Sequence, residues 1–263
     1  MVSASKMRRA QEATKQTTPY TQTAREILAH LSKQGATQGH PLFEVRDVKK
    51  RLLIVIASDK GLAGAYNSNV GKLYIRELLA DDKAGIKTAT IAVGKKVSQL
   101  ATRLKNDDIL GVYNDIPDKL QGNEMQSALD TAFKLYGDEE IDAVDVIYTE
   151  FINGIKQIAK TERILPAGAT GEPESDDIAE ALFEPDTETV LQNVVYRLLG
   201  AQLFQALLDA RASEHSMRMI AMKNATDNAG DLIDDLTLEM NKARQAEVTQ
   251  ELAEISGGAE AMK

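Results

Sequence analysis

From Thr187 to Ile255 the chain runs 69 residues with no proline and only two glycines, Gly200 and Gly230. Helix formers dominate this stretch. Leu191, Val194/Val195 and Leu198 begin an apolar stripe, and Ala225, Ala229, Leu232, Leu236, Met240 and Ala243 continue it in steps of three and four. Val248, Leu252 and Ile255 extend it further. One helix of this length spans about 100 Å at its fixed rise per residue. A compact globule of this chain's size is only about 45–50 Å across. The helix is therefore expected to protrude from the body that carries it.

A narrow apolar stripe needs a partner. The first 34 residues also read as helix, with Ala4, Met7 and Ala10, then Ala24, Leu28 and Leu31, at helical spacing. Pro19 and the threonines around it (Thr14, Thr17, Thr18, Thr21, Thr23) are expected to bend or weaken that helix. Helices from the two chain ends would pair as a long antiparallel coiled coil. The longer one would extend past its partner, alone or against other chains.

Between them, β-rich runs alternate with helical ones. Arg51–Ala57 is nearly continuous apolar, as in a strand covered on both faces. Thr88–Val93, Ile109–Tyr113 and Val144–Tyr148 are further strands; Asn67–Leu79, Lys95–Leu104 and Asn123–Tyr136 are the helices between them. This alternation predicts βαβ units and a doubly wound, mostly parallel sheet of the Rossmann-like α/β class. Thr161–Leu165, before Pro166, adds an edge strand. The expected organisation is a coiled-coil helix over 1–34, an inserted α/β domain over 35–186 with an acidic linker at 167–186, and the long helix over 187–263.

Composition removes several function classes. The chain has no Cys, which excludes a disulfide scaffold, a thiolate metal site and a Cys nucleophile. Three scattered histidines, His30, His40 and His215, give no metal-ligand spacing. No run approaches the ~18 apolar residues of a membrane span. The net charge of −9 is uneven. Eight acids between Glu172 and Glu188 face no Lys or Arg there and read as a solvated loop, while the first 51 residues carry ten bases and four acids. That basic arm lacks interleaved aromatics and the whole chain is acidic, so nucleic acid is not an expected partner.

Candidate chemistry is sparse. Ser58–Asn69, at a strand-to-helix junction, could present backbone N–H groups to a phosphate, but it is neither Gly-x-Gly-x-x-Gly nor a Walker loop. Gly94-Lys95-Lys96 fails as well, because Ala89 stands where the first Walker glycine belongs. The plainer reading is a tight turn with Asn67 or Ser68 capping the helix. Met217, Met219 and Met222 suit core filling or a sliding surface. Glu214-His215 reads as a solvated pair. No catalytic set, no cofactor site and no metal site stands out.

The C-terminal region is more specific. Ser213-Glu214-His215, Arg218–Ala229 and Leu238–Glu251 resemble the C-terminal signature of the gamma subunit of F-type ATP synthase. Ser58–Val70 resembles that family's Ser-Asp-x-Gly-Leu-x-Gly-x-x-Asn-x-Asn turn, and Val2–Arg8 resembles its N-terminal helix. The resemblance covers essentially the whole chain. It implies the central stalk of a proton-translocating rotary motor. Its coiled coil stands inside a ring of alpha and beta subunits, and its α/β domain rests on epsilon and the membrane c-ring. Proton flow turns the stalk, the asymmetric shaft makes the three beta sites unequal, and the chemistry happens on beta.

The resemblance also implies contact residues. Arg244, Gln245 and Thr249 match positions that hydrogen-bond to beta-subunit loops, with Asn241 and Lys242 as neighbours. Lys6 and Arg8 match a basic helix that faces an acidic segment of beta. The expected place is the cytoplasmic face of a bacterial plasma membrane, held there through the complex. Two departures stand out. Family members start several helical turns upstream of the Met-Val-x-Ala-Ser-Lys-Met pattern in which Met1 lies, and Ala63 stands where many relatives carry Cys, so thiol control is not expected. Two other readings stay open from the residues alone: a nucleotide-binding α/β enzyme and a generic coiled-coil adaptor.

Overall fold

The structure, a computed structural model, describes residues 2–33, 37, 39–104, 108–168 and 187–261. The acidic 172–188 tract lies, up to position 186, outside the described residues. The element order is α1 (Val2–Lys33), a short 3-10 turn (Pro41–Phe43), β1 (Lys50–Ile56), α2 (Tyr66–Ala84), β2 (Lys87–Val93), α3 (Lys95–Arg103), β3 (Ile109–Tyr113), α4 (Gln126–Gly137), β4 (Ala143–Phe151), β5 (Gln157–Leu165) and α5 (Thr187–Ala261). The chain divides into two units, Met1–Met219 and Ile220–Lys263.

In the first unit the strands form one sheet in the order β3-β2-β1-β4-β5. β1 pairs in parallel with β2 (Ile54↔Ile91) and β4 (Ile54↔Val146), and β2 pairs in parallel with β3. The edge strand β5 returns antiparallel to β4, from Phe151↔Gln157 to Val144↔Leu165. It begins four residues before the Thr161 start read from the sequence, because the hairpin pairs the polar residues of both strands.

Successive side chains of a strand point to opposite faces, so β1 serves two cores. Leu52, Ile54 and Ile56 join Ile91, Val93, Val144, Val146 and Tyr148 on one face. That face is covered by Leu129 and Tyr136 of α4, Ala24 and Leu28 of α1, and Leu198, Leu199, Leu203 and Leu207 of α5. Leu53 and Val55 join Ala92 and Ile147 on the other face, under Val70, Leu73 and Tyr74 of α2 and Val97 and Ala101 of α3. The doubly wound sheet is therefore present, with the two terminal helices taking part in one of its layers.

α1 runs antiparallel to the first part of α5. Leu28 shares a core with Leu199, and Thr17 Oγ1 donates to Gln205 Oε1 at 2.5 Å further along. α1 continues through Pro19 as one element. α5 is a single helix of 75 residues. Within the second unit, Leu232, Ile233, Leu236, Met240, Val248, Leu252 and Ile255 are all exposed.

Two glycines fix the turns on either side of β2. Gly85 ends α2 in the left-handed conformation, φ 72°, and its N–H reaches the Asp81 and Asp82 carbonyls. Gly94, φ 99°, precedes α3 so closely against β1 that a Cβ would stand 2.3 Å from the Ala57 carbonyl oxygen.

Candidate coupling junction

Parallel strands deliver their following loops to one end of the sheet. Here the loops after β1 and β3 meet the start of α1 and the Arg211–Arg218 stretch of α5, all within the first unit. The loop after β1 is held first by its own residues. Asn67 Oδ1 accepts the Ser58 N–H at 3.1 Å and lies 2.9 Å from Ser58 Oγ. That use corrects the expected helix cap: the residue preceding α2 is Ala65, with no side-chain cap bond, and neither Asn67 nor Ser68 serves. Asp59 Oδ1 accepts the backbone N–H groups of Lys95 and Asp115, each at 3.1 Å, tying this loop to α3 and to the loop after β3.

α5 enters this frame with five consecutive buried residues, Ala212 to Ser216. Glu214 is 4 % exposed and His215 is 4 % exposed, so the pair is not solvated as the sequence suggested. Glu214 holds two guanidinium groups, Arg211 at 3.0 Å and Arg218 at 2.7 Å. Arg211 also donates to the Ile116 carbonyl at 2.6 Å and faces Asp59 at 3.7 Å. Arg218 donates to the Lys60 and Gly61 carbonyls at 3.3–3.4 Å. On the neighbouring side, Ser213 Oγ donates to the Thr149 carbonyl at 3.1 Å and Ser216 Oγ to the Gly154 carbonyl at 2.7 Å. About two turns of α5 thus grip loops or ends from β1, β3 and β4.

α1 is joined to the same place by Lys6, which pairs with Asp118 at 2.5 Å. That hydrogen bond holds the Asp118 carboxyl below its ordinary range. His215 Nε2 lies 3.7 Å from the other Asp118 oxygen. Burial pushes the His215 imidazole down, so it is neutral at neutral pH and its contact with Asp118 is polar rather than ionic. A cavity of about 340 Å³ separates Lys6, Asp59, Arg211 and His215. Among the described residues no group of three or more His, Cys, Asp or Glu is arranged to hold a metal ion.

Of the sequence-predicted contact residues, Lys6 belongs to this junction and Arg8 is exposed on α1. Asn241, Lys242, Arg244, Gln245 and Thr249 belong to the second unit. Asn241 is half-buried and the other four are exposed. Asn241, Gln245 and Thr249 repeat every four residues and so share one helix face, where Thr249 Oγ1 donates to the Gln245 carbonyl at 2.7 Å. Asp59, Asp118, Arg211 and Glu214 escaped the sequence reading as functional residues, although Ser213-Glu214-His215 and Arg218 were part of the recognised signature. Met217, Met219 and Met222 are half-buried.

The ATP synthase family model matches residues 1–262. The ATP synthase gamma chain of Staphylococcus aureus strain JH9 is 37 % identical over 266 residues, which cover 100 % of this chain and 91 % of the relative. The chain belongs to the ATP synthase gamma family. Membership gives it the role of the rotor-stalk subunit in an F-type ATP synthase. The fold agrees with solved structures of the same kind. One is a chain in Euglena gracilis mitochondrial ATP synthase (OSCP/F1/c-ring, rotational state 3), with TM-score 0.62, 17 % identity and coverage of 98 % of this chain and 95 % of that one. Another is in the central stalk/c-ring structure of Tetrahymena thermophila mitochondrial ATP synthase, with TM-score 0.56, 23 % identity and coverage of 86 % and 100 %.

Proposed function

We propose that this gamma-family chain carries torque between a proton-driven membrane c-ring and a head of alpha and beta subunits, contributing no catalytic group of its own. In this reading the α/β domain rests on the c-ring and epsilon, and α5 stands in the head. The junction at Arg211–Arg218 joins these two roles. It supports the reading because Arg211, Ser213, Ser216 and Arg218, the two arginines braced by buried Glu214, hydrogen-bond α5 to carbonyls of three strands' ends or loops, and Lys6 ties α1 to the loop after β3, as a part that must turn without slipping requires. Rotation then carries the shaft's asymmetry around the ring, favouring a different conformation at each beta site.

The exposed Arg244, Gln245 and Thr249, with Asn241 and Lys242, supply guanidinium, amide, hydroxyl and ammonium groups for beta-subunit loops. Lys6 and Arg8 present positive charge to an acidic segment of beta. No described helix is long and apolar enough to cross a membrane. Attachment to the membrane is through the complex, on the cytoplasmic face of a bacterial plasma membrane.

The test is reconstitution of the full chain with alpha, beta, epsilon and the membrane sector in vesicles. Proton pumping driven by ATP and dependent on this chain is the expected result. ATP hydrolysis at full rate with no pumping, at normal complex yield, would overturn the reading. Equilibrium dialysis of the full chain with ATP separates it from a nucleotide-binding enzyme, which would bind stoichiometrically.

A further inference from the structure

The least regular part of α1 lies over a buried carboxyl group. Pro19 has no N–H, so the bond it would donate to the Lys15 carbonyl is missing. Around it threonine hydroxyls turn back on the helix: Thr18 Oγ1 to the Thr14 carbonyl at 2.7 Å and Thr21 Oγ1 to the Thr17 carbonyl at 3.2 Å. Such back-bonding weakens and bends helices. Up to Thr21, what holds this segment to the body is polar; Ala24 at its far end packs into the sheet's core. Gln205 of α5 accepts from Thr17 at 2.5 Å, and its amide nitrogen lies 3.3 Å from Thr18 Oγ1 and 3.1 Å from Asp209 Oδ1.

Asp209 is 7 % exposed. It lies at a cavity of about 310 Å³ whose wall includes Thr14, Thr18, Thr21 and Arg25 of α1 and Tyr148 and Glu150 of β4. The charges facing it are already matched. Arg25 is paired with Glu162 of β5, Lys160 of β5 lies 2.7 Å from Glu150 and 3.3 Å from Glu162, and Tyr148 donates to Glu162 at 2.7 Å. Three carboxyls therefore share two cations, and Asp209 is the one with an amide as its hydrogen-bond partner. Among the described residues, the buried Thr14 Oγ1 and Arg25 Nε have no hydrogen-bond partner.

The geometry points to a proton-operated latch, in which protonated Asp209 keeps the Thr14–Arg25 segment of α1 seated and ionised Asp209 releases it. The two cations facing it are held by Glu150 and Glu162, so an ionised carboxylate here needs water in the cavity, and lifting the weak segment admits it. Burial pushes the Asp209 carboxyl up to about 7, with Glu150 adding to the rise. The sign follows from linkage. A raised acid favours the closed state below its closed-state pKa and loses that advantage as pH climbs from the open-state value to the closed one. Opening should grow roughly tenfold between pH 6 and pH 8, and then level off.

Hydrogen exchange of the full chain, corrected for intrinsic rate, reads this directly. Peptides covering 13–25 should lose about tenfold protection from pH 6 to pH 8, while β1 does not change. Asp209→Asn should abolish the step and keep protection at its acid level. Glu150→Gln should move the midpoint to lower pH, and it remains informative if the Asn variant does not fold. A flat wild-type profile, an Asn variant with the wild-type step, or an unmoved midpoint in Glu150→Gln would each overturn the latch.

Discussion

Glu214→Ala is the sharpest test of the junction. The carboxylate is buried between two guanidiniums whose side chains are only 11 % and 15 % exposed. Its removal strands both. Arg211 keeps the Ile116 carbonyl and a 3.7 Å approach to Asp59; Arg218 keeps two long contacts to backbone carbonyls. Breaking a buried pair by deleting one partner costs about 3–5 kcal/mol. In a unit of this size each kcal/mol shifts the melting temperature by roughly 2–4 °C, so a fall of roughly 6–20 °C is expected. Calorimetry on the full chain measures it. Glu214→Gln keeps an acceptor oxygen without the charge and should fall between wild type and Ala. In reconstituted complex, the Ala variant should hydrolyse ATP with less pumping per ATP. A melting shift under about 2 °C for Ala would show that both arginines re-pair or hydrate freely. The junction would then not be the rigid joint argued above.

Three further outcomes follow from local geometry. Arg51 is buried and contacts Asp81 at 2.9 Å, Asp145 at 3.1 Å and Glu77 at 3.0 Å, so Arg51→Met should cost about 3–5 kcal/mol in denaturant unfolding. A loss below 1 kcal/mol would mean that Thr88, Thr161 and Arg163 suffice for those acids. Gly94→Ala combines a glycine-only backbone with a 2.3 Å approach to Ala57, and should lower stability by at least about 2 kcal/mol by the same measurement. Arg244→Ala removes an exposed charged donor from the proposed contact face and should weaken binding of the full chain to an alpha/beta ring about 10–100-fold, as lost charged hydrogen bonds do. Unchanged affinity with unchanged pumping would remove Arg244 from that face.

The strands were legible because a parallel strand buried on both faces has to be apolar throughout. Ile109–Tyr113 has the bounds read from the sequence, and β1 differs by one residue at each end. Boundaries failed where polar residues are buried for reasons distant in sequence. α2 runs to Ala84 rather than Leu79, and Asp81, which looks like a surface acid, meets Arg51 thirty positions away. β4 runs to Phe151 rather than Tyr148 because β5 pairs with its polar end. Glu214 and His215 were misread for the same reason. On a helical wheel they look solvated, and only the loops after β1 and β3 bury them. The expected Asn67 cap was a reasonable use of a short amide that the Ser58 backbone claims first.

The seam between α1 and α5 is built differently from a plain coiled coil, and its function explains why. Apolar packing is concentrated near Ala24 and Leu28, where α1 joins the sheet's core. Further along, the seam is Thr17 and Thr18 on Gln205, then Lys6 on Asp118 beside His215. Leucines at those levels would bury more apolar surface, but one leucine layer fits nearly as well one turn further on. A polar pair at a single level costs stability and fixes register. Torque applied to paired helices drives one past the other, so register is the property at risk. The amide of Gln205 and the hydrogen bonds from Arg211, Ser213, Ser216 and Arg218 to backbone carbonyls each admit one alignment of α5 against the body. A stalk sequence built on that requirement keeps polar groups buried where a merely stable bundle would keep leucine.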